Sequence, residues 1–120
     1  MKDCRLTEAE TKFAEIIWAH GPLKSSELVR LCEGSLNWKK STTYTMLKRL
    51  EDKGIFQNEN GLVRSLIGKE DFYAEQSKQF VAEIFEGSLP RFVAAFARRK
   101  KLSEKEIEEL QKLIDEHRGE

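Results

Sequence analysis

Residues 37 to 54 read NWKKSTTYTMLKRLEDKG, and the spacing within this stretch decides the fold. Met46, Leu47 and Leu50 stand 3, 4 and 7 residues beyond Thr43, the repeat of one face of an α-helix. With that face turned inward, Ser41, Thr42, Tyr44, Thr45, Lys48 and Arg49 are left outside or on the flanks, with Lys39 and Lys40 just ahead of them. Short hydroxyls approach base edges and phosphates closely, and lysine and arginine neutralise phosphate charge. A tyrosine can meet a thymine methyl or donate to a phosphate. The same composition also suits an ordinary solvent-facing helix, so the neighbouring segments must decide.

Upstream, TEAE at residues 7–10 has the form of a capping box, in which Thr7 and Glu10 satisfy each other's free amides. It opens a helix over residues 7–20 with Leu6, Ala9, Phe13, Ile16 and Ile17 on one face, ended by Gly21 and Pro22. A shorter helix is expected over residues 25–33, capped by Ser25 or Ser26 and stopped by Gly34, with Leu28, Leu31 and Cys32 inward. The quoted stretch is the third helix, closed by Gly54. Beyond it, IFQNE and LVRSLI flank Asn60 and Gly61, the dipeptide favoured in a two-residue hairpin turn. Three helices followed by a hairpin make a winged helix-turn-helix, with Arg64 on the wing. In that setting the third helix is the one that enters a major groove.

The remaining chain, residues 68–120, reads as helical throughout. One helix carries Phe72, Tyr73, Phe80, Val81, Ile84 and Phe85. GSLP interrupts it, and a second carries Leu89, Phe92, Val93 and Phe96. SEKE opens a third with Ile107, Leu110, Leu113 and Ile114. So short a row of amphipathic helices cannot close a core alone, and a second copy of the chain is the simplest cover. The expectation is a mainly α protein. Residues 1–67 form a winged helix-turn-helix DNA-binding domain and residues 68–120 a helical region that makes a symmetric homodimer.

Composition sets the outer limits. The 120 residues carry 21 basic and 21 acidic side chains, so no overall basic charge draws the chain to nucleic acid. The balance is uneven, with 11 basic against 9 acidic residues in 1–67 and 10 against 12 in 68–120. Two cysteines, Cys4 and Cys32, are too few for a disulfide framework and lack a zinc spacing. No apolar run approaches the length of a membrane span, and the opening MKDCRLTEAE lacks the apolar centre of a secretory signal. A cytoplasmic protein without direct membrane binding is expected. Two histidines, His20 and His117, give no catalytic arrangement, and no glycine-rich phosphate loop is present. The chain is not read as an enzyme, and no cofactor or metal is expected.

Several motifs in order resemble the penicillinase repressor family. They are LTEAE with IIWAHGPL, then W with TTYTMLKRLEDKG, then FEGSLPRFVAAF and KLSEKEIEELQKLIDE, covering nearly the whole chain. This family comprises winged-helix repressors of β-lactamase and methicillin-resistance operons, with copper-responsive relatives. The resemblance implies a dimer that binds a palindromic operator of double-stranded DNA and blocks transcription. By position, Thr42, Tyr44 and Thr45 would lie nearest the bases, with Lys48 and Arg49 beside them. Members usually carry Ser-Pro-Lys where this chain has Lys39, Lys40 and Ser41; that departure removes a cap and a first-turn proline and implies a different operator.

In the β-lactam-responsive members, the resemblance further implies a membrane-bound sensor protease that cuts the repressor within its dimerisation region before a phenylalanine. The matching bond joins Ala95 to Phe96. Copper-responsive relatives carry a C-terminal cysteine cluster, which LIDEHRGE lacks. Two other functions fit less of the sequence. One is a winged-helix protein-interaction module without DNA binding, favoured by the neutral net charge and opposed by the cluster Lys39, Lys40, Lys48, Arg49 and Lys53. The other is a thiol-based redox regulator built on Cys32.

Overall fold

The computed structural model describes residues 5–119, so Cys4 lies outside the described residues. Two compact units are distinguished, Met1–Ser77 and Lys78–Glu120.

The first unit is a winged helix-turn-helix. Helix α1 (Glu8–His20) begins at the expected cap, with the Glu10 amide donating to Thr7 Oγ1 at 3.1 Å and the Thr7 amide to Glu10 Oε1 at 2.9 Å. Phe13 and Ile17 are buried as expected, but Ala9 is exposed. Ala14 and Glu10 take inward positions instead. A single methyl gains little from burial, whereas Glu10 is held by Lys53 Nζ at 3.2 Å, reaching from the end of the third helix.

After Gly21 comes a two-residue strand, β1 (Leu23–Lys24), that the sequence pattern did not reveal. Helix α2 (Ser25–Leu36) starts from Lys24 without a side-chain cap, so neither Ser25 nor Ser26 caps it. Gly34 does not stop it either. A glycine inside a helix costs about 1 kcal/mol, and the helix runs one turn further because Leu36 packs against the core. It ends at Asn37, whose φ of 56° and amide bonded to the Cys32 carbonyl close the last turn.

Helix α3 (Lys40–Asp52) buries Thr43, Met46, Leu47 and Leu50, the four positions that the spacing selects. Strands β2 (Phe56–Glu59) and β3 (Leu62–Ser65) follow, joined through Asn60 at φ 52° and Gly61 at φ 85°. Positive φ at both central residues is the turn whose twist matches paired strands. The wing is larger than a lone hairpin, because β1 adds to it antiparallel in the order β1-β3-β2, with Leu23 and Asn58 both opposite Val63. Leu23, Phe56 and Val63 bring the sheet into the helical core. Trp38 packs there beside Phe13, with ring centres 5.5 Å apart.

Helix α4 (Lys69–Ile84) opens in the first unit, where Phe72 is buried. Trp18 holds this opening: its Nε1 donates to the Ile67 carbonyl at 3.1 Å, and its ring lies 5.4 Å from that of Phe72 and 5.5 Å from that of Phe56.

The second unit contains the end of α4, helix α5 (Leu89–Arg99) and helix α6 (Glu104–Arg118). Glu86 and Gly87, with φ of 52° and 80°, break the chain before α5. Ser88 caps α5, and a Ser103–Glu106 capping box opens α6. Phe80, Phe85 and Phe92 form a ring cluster with centres 5.5–6.0 Å apart. Yet α5 and α6 bury no residue fully.

Candidate nucleic-acid interface

The outer side of α3 presents Lys40, Ser41, Thr42, Thr45, Lys48 and Arg49, all exposed, and Lys39 is exposed immediately before it. This follows from one fact of packing: once Thr43, Leu47 and Leu50 face the core, the intervening positions must face away. Ser41, Thr42, Thr45, Met46 and Arg49 line a shallow depression in which polar groups surround the thioether. Arg49 Nη1 lies 3.7 Å from Met46 Sδ.

The start of α3 is electropositive for a second reason. Lys39 is the capping residue and supplies no side-chain acceptor, and the first turn contains no acid. The unpaired amides of that turn therefore point at solvent beside two lysine cations, an arrangement that favours an anion. At the far end Lys48 meets Asp52 at 3.5 Å, both side chains largely exposed, so this pair holds little of the lysine's charge.

Two other sequence-predicted groups have firmer partners. Tyr44 is half-buried, and its hydroxyl donates to Ser25 Oγ at 3.1 Å. The Ser25 amide in turn donates to the Gly61 carbonyl at 2.8 Å, so one serine joins α2, α3 and the turn of the wing. Arg64 is exposed on β3 and donates to Gln57 Oε1 at 2.9 and 3.3 Å and to Glu59 Oε2 at 3.3 Å. Sequence reasoning missed Ser25, Gln57 and Glu59. Register accounts for Gln57, which pairs directly with Arg64, while Glu59 faces the neighbouring Leu62.

Lys53 must be removed from the basic cluster. Its ammonium donates to the Arg5 carbonyl at 3.0 Å and to Glu10 Oε1 at 3.2 Å, and its side chain is only 26% exposed. Burial alone would push the Glu10 pKa up, but the Thr7 amide and Lys53 more than offset it and leave the carboxyl below its ordinary value.

In the second unit, the residues expected to make a dimer are uncovered. Phe80, Ile84, Leu89, Phe96, Ile107, Leu110, Leu113 and Ile114 are exposed, Ile84 and Leu113 by 60% or more, and Phe92 and Val93 are half-buried. Phe92, Val93, Phe96, Leu110 and Leu113 help to line an apolar hollow of about 410 Å³. The bond between Ala95 and Phe96 lies inside α5, with the Phe96 carbonyl accepting from the Lys100 amide at 3.0 Å.

Cys32 is fully buried. Burial raises its thiol pKa, only partly countered by the neighbouring Thr43 hydroxyl. Thr43 Oγ1 makes no geometrically sound hydrogen bond, so burial governs the thiol. A buried, protonated thiol is a poor redox centre. Among the described residues, no group of three or more His, Cys, Asp or Glu could hold a metal ion, and no helix is long and apolar enough to cross a membrane.

The family profile described as "Penicillinase repressor" matches residues 6–116. The chain is 28% identical to the penicillinase repressor of Bacillus licheniformis over 119 residues, covering 96% of this chain and 93% of that protein. It is 26% identical to the methicillin resistance regulatory protein MecI of Staphylococcus aureus (strain Mu50 / ATCC 700699) over 118 residues, 95% and 96% of the two chains. The penicillinase repressor of Staphylococcus aureus is 27% identical over 119 residues, 96% and 94%. Among solved structures, the reduced form of MarR from E. coli matches with a TM-score of 0.48 and 22% identity, covering 94% of this chain and 75% of that one.

Proposed function

The chain belongs to the penicillinase repressor family, a family of transcriptional repressors and not of enzymes, and from that premise we propose that it acts as a homodimer on a palindromic operator. In this reading residues 1–67 are the DNA-binding domain and residues 68–120 the dimerisation domain. Thr42 and Thr45 meet base edges in the major groove. Tyr44 flanks them, while Lys39, Lys40, Ser41, Lys48 and Arg49 meet the sugar-phosphate backbone, and Arg64 meets the adjoining stretch from the wing. The single observation that carries the proposal is the exposed hydroxyl and cationic face of α3, set on a helix whose other side is fully buried.

The second unit supports the dimer. Eight large apolar side chains stay open to water there, and a second copy laid on them would bury what one chain cannot. Induction is proposed to follow cleavage between Ala95 and Phe96 by a membrane-bound sensor protease. Severing α5 removes bivalency, so each half-site must then be held alone. Because that bond is in a helix, the cut requires local opening of α5. The repressor itself is proposed to work in the cytoplasm.

Titration of the chain against its own promoter DNA at several salt concentrations tests the reading. Specific binding that weakens steeply with salt is expected. Equal affinity for promoter and unrelated DNA, or none for either, would favour a protein-interaction module instead.

A further inference from the structure

The first turns of α4 are fastened to α1 by a polar clamp outside the DNA-facing surface. Glu15 on α1 accepts from Lys69 Nζ at 2.8 Å through one carboxylate oxygen and from the Tyr73 hydroxyl at 2.7 Å through the other. Lys69 and Tyr73 are one helical turn apart, so a single carboxylate grips consecutive turns of one face. The carboxylate stays charged through its two donors, with its pKa below the ordinary value, and the Tyr73 phenol is pushed up to about 12 by burial and by Glu15. Trp18, one turn along α1, adds an edge contact to Tyr73 at 5.9 Å between ring centres. Phe72 anchors the base of α4, but an anchor at one point leaves a helix free to swing. Two donors on successive turns, bound to one half-exposed carboxylate, narrow that freedom.

We propose that Glu15 is a positioning residue: with Lys69 and Tyr73 it holds the first two turns of α4 against α1, and so bears on the half-site spacing that the dimer accepts. The proposal rests on the dimeric repressor reading above. α4 is continuous from Lys69 to Ile84, so the helix that begins in the first compact unit ends in the second. Two recognition helices must arrive about 34 Å apart to meet successive major grooves on one face of DNA. Bivalent binding is strong only when the link presents both heads at that separation. A loosened link lowers the fraction of dimers so arranged, and apparent affinity falls with that fraction. A single half-site makes no such demand.

The test uses the full chain on three DNAs: the palindrome from its own promoter, the same palindrome with one or two base pairs inserted at its centre, and a duplex with one half-site. In the double variant Glu15→Ala with Tyr73→Phe, affinity for the palindrome should fall about fivefold. Affinity for the single half-site should stay within twofold, and the penalty for inserted base pairs should shrink. Glu15→Gln, which can still accept from Tyr73, should fall between. A parallel loss on palindrome and half-site would make the clamp merely structural and overturn the proposal. So would an unchanged spacing penalty. Failure of the wild-type chain to prefer its palindrome over unrelated DNA would instead overturn the repressor reading, which the half-site comparison keeps separate.

Discussion

At the scale of single residues, the chain separates charges that serve the fold from charges left for a partner. Lys53 and Arg49 lie four residues apart in sequence, yet Lys53 neutralises the buried Glu10 while Arg49 stays on the outer face of α3. Lys53→Met should therefore lower stability by about 2 kcal/mol at pH 7, because it strands a buried carboxylate, and leave operator affinity unchanged. Urea denaturation and DNA titration measure the two. The folded pKa of Glu10 is depressed, so its stabilising effect is present above the unfolded value near 4.5 and is lost as pH falls through the folded value. The difference between variant and wild type should accordingly shrink in acid. Arg49→Ala should do the reverse at pH 7, leaving stability intact while weakening binding to all sequences and reducing the salt slope by about 1. Thr45→Ala, at a position proposed to face the bases, should cost about 1–3 kcal/mol of discrimination at one base pair. The Glu10–Lys53 pair was not legible in the sequence, because the partners are 43 residues apart and neither obeys a local period. A glutamate inside a capping box reads as surface until its partner is seen.

At the scale of elements, legibility follows whether the signal is local. The inner face of α3, the Asn60 and Gly61 turn and both capping boxes were readable, since each is fixed by residues at most seven apart. β1 was not: two residues carry no period, and only pairing with Leu62 and Val63 makes them a strand. α2 runs past the stop that Gly34 predicts, because the packing of Leu36 and the left-handed Asn37 beyond it outweigh the glycine. The start of α3 is the element where folding and binding pull apart. Lys39 caps the helix with no acceptor, leaving first-turn amides open beside two cations. Lys39→Ser should supply the missing cap and stabilise the fold by about 1 kcal/mol, seen as a higher Tm, yet weaken DNA binding by removing a cation and covering an amide. If both properties rise together, this helix start has no part in holding phosphate.

At the scale of the whole molecule, the two units differ in what they can do alone. The first closes a core in which Phe13, Ile17, Leu28 and Phe56 are fully buried or nearly so. The second satisfies its helix ends with Ser88, Ser103 and Glu106, yet leaves its apolar stripes uncovered. That contrast was visible in sequence as amphipathic helices without a second layer to meet them, while the course of those helices needed tertiary contacts to define. Leu113, 62% exposed, is the position where two accounts of this unit diverge most cleanly. A leucine that remains in water can become glutamate at almost no cost, because surface substitutions are usually within about 0.5 kcal/mol. A leucine at the centre of a symmetric interface cannot, since two carboxylates would be desolvated against each other. Leu113→Glu should therefore leave the Tm of the first unit unchanged but convert the proposed dimer into a monomer by sedimentation equilibrium. The same variant should bind its palindrome no more tightly than a single half-site. A variant that stays dimeric and keeps the palindrome preference would move the interface off α6 and onto the stripe of α5, where Phe96→Glu is the corresponding change.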